Sequence, residues 1–265
     1  MPKNLLLFFI ALSLFFVSCK KDEDTGSWVS SAEDYAIAEA FIAEIFKIVD
    51  EAAKNEPNVF KLAALDCASI TLETDTPGVF PQTLIINFGE INCIADDGRR
   101  KRGIIKAHFS GRYSEVNSAV TISFDNFFIN NYKFLNNLTL TNTGIPLVTI
   151  QHHLNISNVK ILSSSGEAIN VNGSRTFKLI AGNGTQDADD DIFQVTGNFS
   201  GSARNGSSFT AAITEALTLD TCRSVKSGLL NLNVGADGVF NYGDGECDDV
   251  ATMTIDDRPF FITLE

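Results

Sequence analysis

Phe193, Val195, Gly197 and Phe199 alternate with Gln194, Thr196, Asn198 and Ser200, and Leu230, Leu232 and Val234 alternate with Asn231 and Asn233. Successive side chains of a strand point to opposite faces, so a period of two describes a sheet with one buried and one wet face. The pattern recurs at 105–109, 120–124, 138–140, 150–156, 177–179, 209–213, 253–255 and 260–264. Asn172-Gly173, Asn183-Gly184 and Asn205-Gly206 read as tight hairpin turns, because Asn and Gly accept positive φ at little cost. The expected fold is mainly β: a single large antiparallel β-sandwich or curved β-meander over residues 60–265, with one N-terminal amphipathic helix.

That helix is expected over 31–55. Ser31-Ala32-Glu33-Asp34 has the form of a capping box with acids in the first turn. Ile37, Phe41, Ile45, Ile48 and Ala52 then fall on one stripe beside Ile42 and Val49, and Asn55 and Pro57 end the run. The stripe is expected to pack on the β domain.

Ahead of the helix, 5–17 is apolar but for Ser13 and follows Lys3. It is shorter than the roughly 20 residues of a spanning helix and has the layout of a secretory signal over 1–18. Phe16-Val17-Ser18-Cys19 resembles the lipobox of bacterial lipoproteins, and Lys20-Lys21-Asp22-Glu23-Asp24 is similar to the surface-export signal of Bacteroidota lipoproteins. The resemblance implies a chain diacylated at Cys19, tethered through 19–30 and held by lipid in the outer membrane. The cell surface is the expected face, with the periplasmic leaflet as the alternative. It implies no catalytic residue.

Four further cysteines, Cys67, Cys93, Cys222 and Cys247, suit two disulfides in an exported chain, and four cysteines allow three connectivities. An internal repeat selects one. Asn87-Phe88-Gly89-Glu90-Ile91-Asn92-Cys93 matches Asn241-Tyr242-Gly243-Asp244-Gly245-Glu246-Cys247 as Asn-aromatic-Gly-x-x-x-Cys. Leu65-Asp66-Cys67 has a counterpart ending at Cys222, and Gly78-Val79-Phe80 has one in Gly238-Val239-Phe240. Each copy, 65–93 and 219–247, is therefore expected to close on itself, Cys67 with Cys93 and Cys222 with Cys247.

Little else points to chemistry. His152 and His153 are adjacent in a strand and face opposite ways, so they cannot serve one metal or base together; His152 is expected to be a satisfied core histidine. His108 shares a wet face with Lys106. No cofactor is implied. Calcium has two weak candidates among the acids, Asp187, Asp189, Asp190 and Asp191, and Asp244, Glu246, Asp248 and Asp249, of which the second would be pre-organised by a disulfide. A net charge of −13 opposes nucleic-acid binding. Three functions stay open: a non-catalytic binding or structural module for a glycan, protein or envelope component; a carrier of an apolar ligand in a β-lined groove; and a hydrolase with a spatially assembled site.

Overall fold

The computed structural model describes residues 25–54, 67–73, 78–95, 97–183 and 188–264. The alternating segments become strands: β1 (Ser69–Leu72), β2 (Gln82–Asn87), β3 (Cys93–Ile94), β4 (Arg100–Phe109), β5 (Ala119–Ile129), β6 (Tyr132–Leu135), β7 (Leu138–Asn142), β8 (Gln151–Leu162), β9 (Ala168–Ala181), β10 (Ile192–Ser202), β11 (Ser208–Leu219), β12 (Ser227–Asn233), β13 (Asp237–Asp244), β14 (Val250–Ile255) and β15 (Arg258–Thr263). They form one antiparallel sheet, essentially a meander, with β3 paired on β4 and β7 bridging β5 and β8. Among the described residues β1 and β15 are its two edges and do not pair with each other.

Bulges bend this sheet. Register slips between Arg102 and Ile104 against β5, between Ile156 and Val159 against β9, and between Val195 and Asn198 against β11. Each extra residue turns its strand and adds twist. Asn172-Gly173 belongs to this machinery and is not the hairpin turn its sequence suggests. It lies inside β9, where Gly173 takes φ +132° and a Cβ would come 2.2 Å from the Asn198 carbonyl oxygen of β10. Asn172 Oδ1 meanwhile accepts from the Asn158 amide, at 2.8 Å, in the β8 bulge. Asn205-Gly206 does turn the chain, between β10 and β11.

The curved sheet closes around a helix. Helix α1 (Thr25–Lys54) is longer than expected and starts six residues early, so Trp28, expected in the tether, is helical and packs by Gly235. Ser31 and Asp34 are inside the helix and do not cap it. Ser31 Oγ accepts from Asn205 Nδ2, at 3.1 Å, in the β10–β11 turn. Asn55 and Pro57 lie outside the described residues.

A one-sided stripe does not describe this helix. Between Asp34 and Ala53 only Lys47 and Glu51 are not buried. Tyr35 meets Phe199, Phe209 and Phe240; Phe41 meets Tyr132 and Phe134; Phe46 stacks on Phe177 with ring centroids 3.7 Å apart. Those partners come from β6, β9, β10, β11 and β13. Burying each such ring contributes about 2–3 kcal/mol, which makes the helix the centre of the core.

Acids on α1 are paired where they meet the sheet, as burial of charge requires. Asp34 accepts from Arg204, Glu39 from Arg175, and Glu44 from Arg99 and Lys101. Five residues advance a helix by about 140° beyond a full turn, so these acids face different walls and each wall supplies its own cation.

Candidate functional site

At the C-terminal end of α1 the sheet leaves a cavity of about 660 Å³. It is built by the last turn of α1, the β4–β5 connection around Tyr113, the end of β7 with the β7–β8 loop from Gly144 to Ile150, His152 on β8, and Asn183 after β9. Asn142 shapes the loop, its Oδ1 accepting from the Gly144 amide and its Nδ2 donating to the Tyr113 carbonyl, both at 2.9 Å.

The floor is polar and buried. Tyr113 donates its hydroxyl to Asp50 Oδ1 at 2.6 Å, and Lys54 Nζ lies 3.4 Å from Asp50 Oδ2 and bonds to Asp191 Oδ2. The His152 ring stacks on Tyr113 with centroids 4.3 Å apart and planes 9° from parallel. His152 is 2% exposed, and among the described residues no donor or acceptor meets either ring nitrogen in well-formed hydrogen-bonding geometry. Burial pulls its pKa down from 6.5 to about 4, against the opposing influence of the Tyr113 carbonyl. His152 is therefore a core histidine, as expected, but an unsatisfied one. Burial likewise raises the Asp50 carboxyl, against the pull of Lys54 and Tyr113.

The lip is apolar. Ile145, Leu147, Val148, Ile150 and Val116 are all exposed at the mouth. Leu147 stands fully in solvent at φ +62°, in the turn closed by the Ile145–Thr149 bridge. A bulky side chain at positive φ is strained, and glycine or asparagine is the ordinary occupant of such a turn. Strain and apolar exposure coincide on one residue at the rim of a cavity, a pattern associated with function.

The expected cysteine pairs are present: Cys67 is bonded to Cys93 and Cys222 to Cys247. The two Asn-aromatic-Gly copies are also alike in geometry. Asn87 Oδ1 accepts from the Gly89 amide and Asn241 Oδ1 from the Gly243 amide, each at 2.8 Å, and both glycines have positive φ. Phe88 and Tyr242 both turn into the core. The copies brace the β1–β2 and β12–β13 hairpins toward the two ends of the sheet. Gly78-Val79-Phe80 and Gly238-Val239-Phe240 do not correspond, since Phe80 precedes β2 while Phe240 sits in β13 next to Asn241.

The calcium candidates are not assembled. Among the described residues the one ligand-like group is Asp220, Cys222 and Cys247, whose cysteines are bonded to each other. Asp244, Glu246, Asp248 and Asp249 do not converge: Asp248 accepts from the Val250 amide and Asp249 from Ser224. Asp189 and Asp190 stay exposed while Asp191 turns inward to Lys54. Asp187 and Cys19 lie outside the described residues. His108 and His153 each bond a threonine, Thr83 and Thr176.

A second concavity, about 880 Å³, lies over β10–β14 and is lined by amides and hydroxyls such as Asn198, Thr210, Asn231 and Thr254. Phe199, the aromatic among its lining residues, is buried, so it offers no ring for a sugar to stack on. Sequence reasoning missed Asp50, Lys54 and Tyr113, which become neighbours only through the fold. The apolar run Ile145-Pro146-Leu147-Val148 between two strands was the readable signal for the lip. Compared with known proteins, the chain matches no family model, no curated protein and no solved structure.

Proposed function

We propose that the chain is a lipid-anchored envelope protein that binds, without transforming, a small amphipathic ligand in the cavity at the C-terminal end of α1. The observation that carries this reading is the pairing of a strained, exposed apolar lip with a buried polar floor in which the His152 ring makes no well-formed hydrogen bond among the described residues. Binding is favoured over hydrolysis because the floor's groups are committed to one another. Asp50 holds Tyr113 and Lys54 and does not orient His152, which stays neutral and lacks the carboxylate partner a general base uses. A carrier with cargo along the concave face of the sheet is disfavoured, since α1 fills that face.

Anchorage at Cys19 is supported by the lipobox-like residues before it and by two disulfides, which suit an oxidising compartment. Cys19→Ala is expected to shift the protein from the outer-envelope fraction to a soluble or unprocessed one. For the pocket, the test is titration with Nile red, a neutral apolar dye. Saturable single-site fluorescence enhancement, weakened by Leu147→Ser, is expected; no saturable enhancement would remove the pocket reading.

A further inference from the structure

We propose that the ligand of this pocket carries a protonated amine at its buried end and a short apolar body at its mouth. The inference rests on the pocket reading above and names the chemistry of the head group. Two buried carboxylates, Asp50 and Asp191, share one ammonium, Lys54. Asp191 stands behind Lys54 and is not among the lining residues, whereas His152 lines the cavity, its ring beside the Tyr113 carbonyl and neither ring nitrogen in a well-formed hydrogen bond among the described residues. A neutral imidazole has one nitrogen with a bare lone pair. With the imidazole N–H turned to the Tyr113 carbonyl, the other nitrogen leaves its lone pair free to accept a hydrogen bond, beside two carboxylates that share a single ammonium.

An alkylammonium has three N–H donors and no acceptor, and supplies the missing positive charge. A carboxylate or phosphate head would add a further anion to a floor already rich in acceptors, at a desolvation cost nothing there offsets. Among the described residues Arg112 is the one cation at the rim, but it is exposed, where water and salt screen it. Ile145, Leu147, Val148 and Val116 then cover the apolar part.

The test is competition against Nile red on the full chain at neutral pH, with octylammonium, octanoate and octanol as probes. Octylammonium is expected to displace the dye at concentrations about tenfold below those of the other two. Asp50→Asn should shrink that preference to about twofold or less. Leu147→Ser, exposed and harmless to the fold, should weaken all three probes alike and keep the preference. Octanoate or octanol competing as well as octylammonium, or a preference unchanged in folded Asp50→Asn, would overturn the amine head while leaving the pocket reading intact. No dye binding at all would remove both.

Discussion

Arg175 on β9 grips Glu39 on α1 across 136 residues of sequence, its Nε lying 3.0 and 3.2 Å from the two carboxylate oxygens. The guanidinium also sits 3.4 Å over the Phe199 ring, and both charged side chains are buried. Removing one partner leaves the other charged in the core, whereas removing both leaves a space that apolar groups can fill. Arg175→Met is expected to cost about 3–5 kcal/mol in urea denaturation. The double variant Glu39→Leu/Arg175→Met should recover most of that loss.

Glu44 makes the fold sensitive to acid. Burial alone would raise its carboxyl, but Lys47, Lys101 and Arg99 together outweigh that and hold it at about 2, below its ordinary 4.5. A depressed carboxyl contributes stability above its unfolded pKa and loses it as pH falls through the folded one. The contribution, on the order of 3 kcal/mol, should therefore disappear between pH 4.5 and 2. Denaturation midpoints of Glu44→Gln should be lower at neutral pH and flatter across that window.

His152 acts in a higher window. Its pKa in the fold is about 4 against 6.5 when free, because burial disfavours the cation. The unfolded chain then takes up a proton that the folded one refuses, and stability falls as pH drops from 6.5 to 4, by roughly 3 kcal/mol. His152→Phe keeps a flat ring against Tyr113 and removes the titration. Its stability profile should lose the slope between pH 6.5 and 4 and keep the Glu44 slope below it.

Leu147 offers a separation of stability from binding. Asn tolerates its positive φ and has no exposed apolar surface to hide. Leu147→Asn should raise stability by about 0.5–1 kcal/mol in urea denaturation while weakening Nile red binding. A variant less stable than the parent would show that the loop is not strained.

The strands were readable because a half-buried sheet prints its two faces directly on the chain, and β10 and β12 alternate as Phe193 to Ser200 and Leu230 to Val234 suggest. The hairpin braces were readable because an Asx turn needs Asn two residues before a glycine, as at Asn87 and Asn241. The environment of α1 was not. Asp34, Glu39 and Glu44 look like solvent-facing acids scattered around the helix until Arg204, Arg175 and Arg99 arrive from far along the chain. Gly173 likewise looks like a turn residue, since only the passage of β10 beside it explains why a side chain is excluded. The pocket was least legible. Asp50, Tyr113 and His152 have no fixed spacing, and a buried histidine without a partner cannot be told from a satisfied one by sequence.

Native-state hydrogen exchange tests the central structural claim, that α1 is the core the sheet is wrapped around rather than a helix laid on its surface. The amides from Tyr35 to Ala53 should exchange only through global unfolding, with free energies equal to that from denaturant titration and shared with β9 and β10. Exchange of those amides at a distinctly lower free energy, while the strands remain protected, would mean that the helix leaves an intact sheet and would contradict the account.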